Sequence, residues 1–382
     1  MKITGYELFQ VGPNWQFLKV MTDEGIIGWG EPVIEGRAAT VATAVKEAFD
    51  YLLGKDPLRI EEHWQALSRM QFYGGGPVAQ SAVAGIDQAL WDIAGKTYGV
   101  PVHALLGGHV RDRVRMYAQL QGVTRSELQE QVAFHLERGT NTFKAGPNHG
   151  PTNFLGSPQE VSELVERVGI IREVVGPDRD FALDFHGKLS VAGARRLLPM
   201  LEEFMPLFVE EAVLPEYSFQ LSSIVASTKI PIATGERLYS RWDFREVLES
   251  GIAIAQPDLS HAGGISEVRR IAAAAEVHNV AIAPHCPLGP IALAACLQID
   301  FAIPNFLLQE QLIYSGYGRV TPFLDFVLDA SPFDIVDGHI ERFTAQGLGI
   351  EIDEEAVRDA AENPHNWRIP MLTHKDGSHA IW

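Results

Sequence analysis

The sequence has little cysteine and no long apolar run. Its 382 residues include only two cysteines, Cys286 and Cys296, which are too few for a disulfide framework and lack metal-ligand spacing. No uninterrupted apolar stretch reaches the roughly 18 residues of a membrane-spanning helix, and the first residues carry no apolar core of a secretory signal. We therefore expect a soluble protein in a reducing cytoplasm, with no membrane partner.

Positive charge is also scarce. The 31 Lys and Arg residues are outnumbered by 49 Asp and Glu residues, which gives a net charge of −18. This excess argues against nucleic acid as a partner, because nucleic acid carries dense negative charge itself. A small anionic substrate would need locally placed cations or a metal ion to offset the protein's field.

The pattern of apolar residues divides the chain into three parts. The first part, 1–115, begins with strand-like runs and continues with helical stretches, of which the last is AQSAVAGIDQALWDIAGKTYG. From 116 to 320, short apolar runs alternate with amphipathic helices in eight strand-then-helix units. The last part, 321–382, reverts to loops and short strands that could return to the first part. The pattern predicts an α/β fold with a (β/α)8 barrel and an α+β module.

Ionisable residues stand at the ends of the predicted barrel strands. They recur at intervals of roughly 25 residues, the length of one strand-and-helix unit, so successive strands would deliver them to the same rim. Barrel enzymes hold their catalytic groups at this rim. A single acidic residue there is more often a helix cap, but glutamate is a poor cap and capping does not explain the whole series. The series reads Lys144, Asp184 with His186, Glu210 with Glu211, Glu236, Asp258, His285 and Glu310.

Three of these carboxylates predict a metal site. Asp184, Glu210 and Glu236 would meet in a largely apolar barrel mouth, where they would raise one another's pKa unless a cation neutralised them. Oxygen ligands without cysteine favour Mg²⁺, with Mn²⁺ as the usual substitute. Glu211 has the opposite strand parity from Glu210, so only one of the two can face the barrel axis, and the sequence alone does not decide which.

Two histidines flank this predicted metal site. Asp184 and His186, in ALDFHGKLS, are two residues apart and would share one side of an extended chain. His285 follows the seventh strand, and Asp258 at the end of the sixth would be its neighbour. A carboxylate that accepts from one ring nitrogen raises the basicity of the other, as a general base requires. The alternatives are a structural role for His186 and a helix-capping role for Asp258.

Motifs spread over nearly the whole chain resemble the enolase superfamily and, within it, the acid-sugar dehydratases, most closely the D-galactonate dehydratases. The motifs are TDEGIIGWGEPVIEGRA, AGIDQALWDIAGK, LDFHGKLS, PLFVEEAV, GERLYSRWDF, QPDLSHAGGI and APHCPLGPIALAACLQIDF. The resemblance implies an enolase-like fold in which a capping domain, 1–115 completed by 321–382, closes over the catalytic barrel, 116–320. The implied activity is dehydration of an aldonate, with D-galactonate converted to 2-dehydro-3-deoxy-D-galactonate.

The resemblance also implies roles for the strand-end residues. It makes His285, paired with Asp258, the base that removes the C2 proton of the substrate. His186 becomes the acid that protonates the departing 3-hydroxyl group, and Glu310 stabilises the enediolate intermediate. The implied Mg²⁺ ligands are Asp184, Glu210 and Glu236.

Four further residues are predicted to contact the sugar acid. Trp15, Phe72 and Tyr73 lie where two cap loops reach over the barrel mouth in the resembling family, with ordinary packing as the alternative. Lys144 is the fourth. The identity of the aldonate stays open between galactonate, gluconate and others, because the sequence departs from the family's pattern near the substrate. The departures are Gly146, Ala212 and Thr234.

Two other functions are kept as alternatives. An epimerase or racemase would use the same enediolate but needs a base on each face of the substrate, and the second strand offers only the amine of Lys144. A barrel that binds sugar acids without turnover would be expected to have lost part of the ring. For any of these we expect a closed homo-oligomer, which is common among such enzymes.

Overall fold

The computed structural model describes residues 1–69, 72–147, 150, 154–316, 319–364, 367–374 and 376–380. The strands are β1 (Ile3–Val11), β2 (Trp15–Thr22), β3 (Ile27–Gly30), β4 (Arg113–Leu120), β5 (Phe143–Ala145), β6 (Phe181–Asp184), β7 (Val209–Glu210), β8 (Ile232–Thr234), β9 (Ile254–Ala255), β10 (Ala281–Ile282), β11 (Gln309–Gln311), β12 (Ser315–Gly316), β13 (Arg319–Val320), β14 (Ile335–Val336) and β15 (His339–Glu341). The helices are α1 (Ala38–Leu52), α2 (Ile60–Ser68), α3 (Gly76–Tyr98), α4 (Val102–Leu105), α5 (Arg125–Leu136), α6 (Pro158–Val175), α7 (Val191–Leu201), α8 (Leu221–Val225), α9 (Arg241–Glu249), α10 (Gly264–Val277), α11 (Pro290–Ala302) and α12 (Glu354–Ala361).

An antiparallel sheet and four helices, α1 to α4, form the described residues of the N-terminal part. Strands β1, β2 and β3 pair in that order, and α3 packs closely against β3. The closeness depends on glycine, because a Cβ on Gly30 would come within 1.9 Å of the carbonyl oxygen of Gly85 in α3. The helix ends at Gly99, whose left-handed conformation terminates it. The N-terminal part is therefore a tightly packed α+β unit.

Eight parallel strands form a closed ring. Strands β4 to β10 pair with one another in sequence order, and β11 pairs in parallel with β4. The backbone of residues 305–307, just before β11, bonds to Ile282 of β10 and closes the remaining gap. The predicted α/β barrel is confirmed, but the eighth predicted strand-then-helix unit lacks its helix, because among the described residues β11 is followed by the short strands β12 and β13. The strands' carboxyl ends all meet at one rim.

Three barrel helices, α5 to α7, begin at capping residues that the sequence supplies. Thr124 and Glu127 form a reciprocal capping box at the start of α5, and Ser157 and Glu160 do the same for α6. Each box satisfies backbone N–H groups that would otherwise lack a partner. In the part of the chain that the structure describes, no helix combines the length and the apolarity needed to cross a bilayer.

The C-terminal part returns to the N-terminal sheet. Strand β15 pairs with the start of β4, and α12 packs against β1. Ion pairs join the same surfaces: Lys19 Nζ lies 2.7 Å from Glu354 Oε1, and Arg358 Nη2 lies 2.7 Å from Glu7 Oε2. On these contacts we propose that 321–382 and 1–115 act as one capping unit above a barrel of 116–320.

Candidate active site

Three carboxylates meet at the rim where the barrel strands end. Asp184 ends β6 and Glu210 ends β7, and the two residues are paired in register. One oxygen each from Asp184, Glu210 and Glu236 all lie within 4.8 Å of one another. We call these three residues the acid cluster. Their separation is small enough for a single cation to contact all three.

The adjacent glutamates Glu210 and Glu211 face in different directions. Glu210 accepts hydrogen bonds from Lys144 Nζ at 2.7 Å and from Gln256 Nε2 at 2.8 Å. Glu211 has a left-handed backbone conformation, with φ of 42°, and its carboxylate pairs with Arg237. The structure therefore turns Glu210 toward the acid cluster, which strand parity had left undecided.

Burial and neighbouring acids raise the pKa of two members of the acid cluster. Burial raises the pKa of Glu210 to about 8, and repulsion from Asp184 and Glu236 adds to the rise while Lys144 opposes it. Burial also raises the pKa of Glu236. The Oε2 atom of Glu236 is buried and finds no hydrogen-bond donor among the described residues. A buried carboxylate oxygen without a donor is costly, so a cation at this point would stabilise the site.

Lys144 lies between the acid cluster and Glu310. Its Nζ atom is 2.7 Å from Glu210, 2.8 Å from Glu310 and 3.6 Å from Asp184. Burial by itself lowers the pKa of Lys144, but attraction to Glu210 and Glu310 raises it well above the ordinary value. The lysine is therefore held as an ammonium ion beside the predicted metal ligands.

His186 contacts Asp184 through a turn. The strand β6 ends at Asp184, and His186 has a left-handed φ of 49°. Its backbone N–H donates to Asp184 Oδ1 at 2.9 Å, and its Nε2 atom lies 3.0 Å from Asp184 Oδ2. The expected extended geometry was wrong, because the chain reverses direction after the strand, although the two side chains do lie together. Burial lowers the pKa of His186, but attraction to Asp184 outweighs it and raises this pKa to about 9.

His285 and Asp258 form a hydrogen-bonded pair across adjacent strand ends. The distance from His285 Nδ1 to Asp258 Oδ2 is 2.8 Å. Asp258 also accepts from two backbone N–H groups of the turn that follows it, so it supports both the imidazole and the turn. The Nε2 atom of His285 lies 3.8 Å from Glu236 and 3.9 Å from Glu310. Burial lowers the pKa of His285, but these two carboxylates raise it well above the ordinary value.

A cavity of about 400 Å³ opens beside the rim and includes Lys144, Asp184 and His186 in its walls. This volume is within the range of small-molecule sites. The remaining walls include Gln119, Gln121, Gly146, Lys188, Pro370 and Leu372.

Several of these wall residues were not predicted from the sequence. Gln119 belongs to β4, and its Nε2 atom donates to Glu310 Oε1 at 2.6 Å. The strand-end argument would have found Gln119 had it been applied to the first barrel strand and to uncharged side chains. Lys188 lies two residues beyond His186 in a motif that was already singled out. No local motif marks Pro370 and Leu372, which reach the cavity from the C-terminal part.

The three aromatic residues predicted to cover the substrate are placed differently. Trp15 is completely buried and packs edge-on against Phe323 and Phe326, with ring centroids 6.0 and 6.1 Å away. The prediction for Trp15 was wrong, because a side chain without exposed surface cannot touch a ligand. Phe72 and Tyr73 are 91% and 90% exposed and do not line the cavity, so their contact with substrate stays a prediction.

Comparison with known proteins bears on this whole arrangement. A model described as mandelate racemase / muconate lactonizing enzyme, N-terminal domain, matches 13–107, and one described as enolase C-terminal domain-like matches 127–356. The D-galactonate dehydratases of Variovorax paradoxus and Pectobacterium atrosepticum are 51% and 49% identical to this chain, each covering 100% of both sequences. The crystal structure of an enolase from Agrobacterium radiobacter, with bound Na and L-malate, is 30% identical and covers 100% of both chains with a TM-score of 0.91.

Proposed function

The chain belongs to the enolase superfamily, among the mandelate racemase and muconate lactonizing enzymes, and we propose that it dehydrates D-galactonate to 2-dehydro-3-deoxy-D-galactonate. The dehydratase assignment rests on full-length relatives at about half identity. The observation that carries the chemistry is a cluster of three carboxylates flanked by His186 and His285. Such a cluster can bind a cation at the carboxylate of a sugar acid and leaves an imidazole on either side.

We assign Asp184, Glu210 and Glu236 as ligands of one divalent cation, Mg²⁺ in the first place with Mn²⁺ as a substitute. The donors are all carboxylate oxygens, which suits a hard cation, and the orphaned Oε2 of Glu236 is available to it. When bound, the ion supplies positive charge that stabilises the negative charge developing on the substrate as C2 loses its proton.

His285 is the proposed base. Its Nδ1 atom is held by Asp258, and Nε2 would take the C2 proton while the C–H electron pair moves toward C1 to form an enediolate. Although burial lowers the pKa of His285, Glu236 and Glu310 raise it, and a cation held by Glu236 would oppose that rise and favour the neutral imidazole that a base requires. Burial raises the pKa of Glu310, but Lys144 and His285 lower it below the ordinary value. An ionised Glu310 stabilises the enediolate indirectly, because it positions the positively charged Lys144. The distance from Lys144 Nζ to Glu310 Oε1 is 2.8 Å.

His186 is the proposed acid. Burial lowers its pKa, but attraction to Asp184 raises it to about 9, which favours the protonated imidazole that an acid requires, and a cation on Asp184 would oppose that rise. The assignment therefore stands on position, because His186 Nε2 lies 3.0 Å from Asp184 Oδ2 and His186 lines the cavity. The proton passes to the 3-hydroxyl group as the C3–O bond breaks, water leaves, and the resulting enol converts to the 2-keto acid. An epimerase would instead return a proton to the opposite face of C2. That reading is less favoured, since Lys144 is already engaged by three carboxylates.

The assignment is tested by a panel of aldonates with Mg²⁺, with and without a chelator, while 2-keto product is measured. His285→Asn should lower the rate of C2 deuterium exchange by about 10²- to 10⁴-fold, the usual contribution of a general base. His278→Asn is the matched control, because His278 is an exposed imidazole at the end of α10. A wild-type rate of C2 deuterium exchange in the His285 variant would contradict the base assignment. Full activity after chelation would contradict the assignment of a metal ion.

A further inference from the structure

The C-terminal part forms one wall of the candidate active site. Pro370 and Leu372 line the cavity together with Gly146 and Lys188. Met371, between them, is 84% exposed and is not part of the wall. The segment 370–372 therefore presents the apolar side chains of Pro370 and Leu372 to the cavity, whereas Met371 is exposed to solvent.

This wall is held by contacts at both of its ends. Ile369 lies against Gly36 of the N-terminal part, where a Cβ on the glycine would come within 2.9 Å of Ile369 Cγ1. Gly36 also has a φ of 76°, which disfavours any other residue. On the other side, Leu372 accepts from the backbone of Ala380 at 2.9 Å, and His374 donates to Ser378 at 2.8 Å. The wall is thus a positioned element of the structure.

We propose that Leu372, supported by Pro370, determines the chain length of the sugar acid that the enzyme accepts. The inference rests on the proposed function, which assigns the substrate carboxylate to the acid cluster and C2 and C3 to the two histidines. The cavity walls include Asp184 and His186 as well as Pro370 and Leu372, so carbons from C4 onward are placed toward the C-terminal wall. An apolar side chain cannot hydrogen-bond a terminal hydroxyl group, so a longer acid pressed against Leu372 loses solvent contacts without replacement.

The test compares Leu372→Ala with the matched control Met371→Ala. We measure kcat/KM for five-, six- and seven-carbon aldonates with Mg²⁺ present. Leu372→Ala should raise the ratio of seven-carbon to six-carbon kcat/KM about tenfold, the scale of discrimination by a small change in pocket size. Leu372→Phe should shift the preference toward the five-carbon acid. Met371→Ala should leave the ratios unchanged, because the Met371 side chain is exposed to solvent and does not line the cavity.

Unchanged ratios in both Leu372 variants, or equal changes in the Met371 variant, would overturn the inference while leaving the dehydratase assignment intact. Melting temperatures of the variants verify that each is folded. If wild-type protein converts no aldonate, the proposed function is wrong. The role of Leu372 in chain-length preference is then tested by calorimetry, which measures the binding of the same acids in the presence of Mg²⁺. A length preference that shifts in Leu372→Ala supports the inference, and absent or unshifted binding rejects it.

Discussion

Buried carboxylates occur in two regions of this molecule, and their neighbours differ. At the barrel mouth, Glu210 and Glu236 of the acid cluster face other acids, and the third member, Asp184, lines the cavity. At the contact between the N-terminal part and the barrel helices, Glu31 accepts from the backbone N–H groups of Gly289 and Ala292 at 2.8 and 2.9 Å. We call this second region the cap contact.

Asp87 repeats the arrangement of Glu31 at the next barrel helix. It lies on α3 and accepts from the backbone N–H of Ser266 at 3.0 Å, in the first turn of α10. Glu31 likewise meets the start of α11. Both acids therefore sit at helix N-termini, where unpaired N–H groups and the helix dipole favour negative charge. These carboxylates connect the two parts of the fold.

Burial alone does not distinguish the two regions. It raises the pKa of Glu31 to about 8 and that of Glu210 to the same value. The difference lies in the partners, because both oxygens of Glu31 are satisfied by backbone donors, whereas Glu210 lies among acids that add to the rise. A buried carboxylate that lies among other acids is a candidate for a functional role. One whose oxygens both accept from backbone N–H groups is a candidate for a structural role.

Glu210→Gln should cause the largest effect and sharpen this comparison. Loss of one ligand charge should lower kcat/KM by about 10³- to 10⁴-fold, or about 4 to 5 kcal/mol of barrier. Lys144 would still pair with Glu310 at 2.8 Å in this variant, so its charge would not be left buried without a partner and the metal-free variant should remain folded. Mg²⁺ should raise the melting temperature of the wild type but not of this variant.

Glu211→Gln is the matched control for that experiment. Its side chain is turned to Arg237 instead of the acid cluster, so calorimetry should still detect Mg²⁺ binding. Equal Mg²⁺ affinity in Glu210→Gln and wild type would remove the distinction between the two regions.

Glu31→Ala should affect stability more than chemistry. It leaves the N–H groups of Gly289 and Ala292 buried without acceptors, which should lower the free energy of unfolding by about 2 to 4 kcal/mol. Denaturant unfolding measures the change, and Mg²⁺ affinity of the folded protein should be retained. Glu62→Ala, an exposed acid in α2, is the control and should change stability by about 0.5 kcal/mol or less. A variant as stable as wild type would show that the cap contact is not structural.

The pH dependence of stability should show the smallest effect. Burial raises the pKa of Glu31 from 4.5 to about 8, so the folded state binds this proton more tightly than the unfolded state does. The stability that proton binding to Glu31 contributes to the folded state is fully present below pH 4.5 and is lost as pH rises toward 8. Glu31→Gln, which cannot ionise, should therefore gain stability relative to wild type between pH 5 and pH 8. The same stability difference at both pH values would argue against a shifted pKa.

Sequence reasoning was strongest where the chain's own periodicity determines the outcome. The spacing of apolar runs predicted the barrel strands, and with them the strand ends that carry Asp184, Glu210 and His285. Sequence reasoning was weaker where the direction of a side chain depends on local backbone conformation or on distant packing. His186 meets Asp184 only because a left-handed turn follows the strand, and Trp15 was assigned to the substrate although it packs among distant aromatic rings.

The sequence by itself determined the number of barrel strands, the residues at their ends and the family to which the motifs point, because covalent spacing and hydrophobic period act over short distances along the chain. Only the tertiary structure decided that Glu210 faces the acid cluster and Glu211 does not, that Lys144 lies among three carboxylates, and that Leu372 reaches the cavity. Those outcomes depend on packing between segments far apart in the chain, where many arrangements satisfy the local pattern and burial of apolar surface selects one of them.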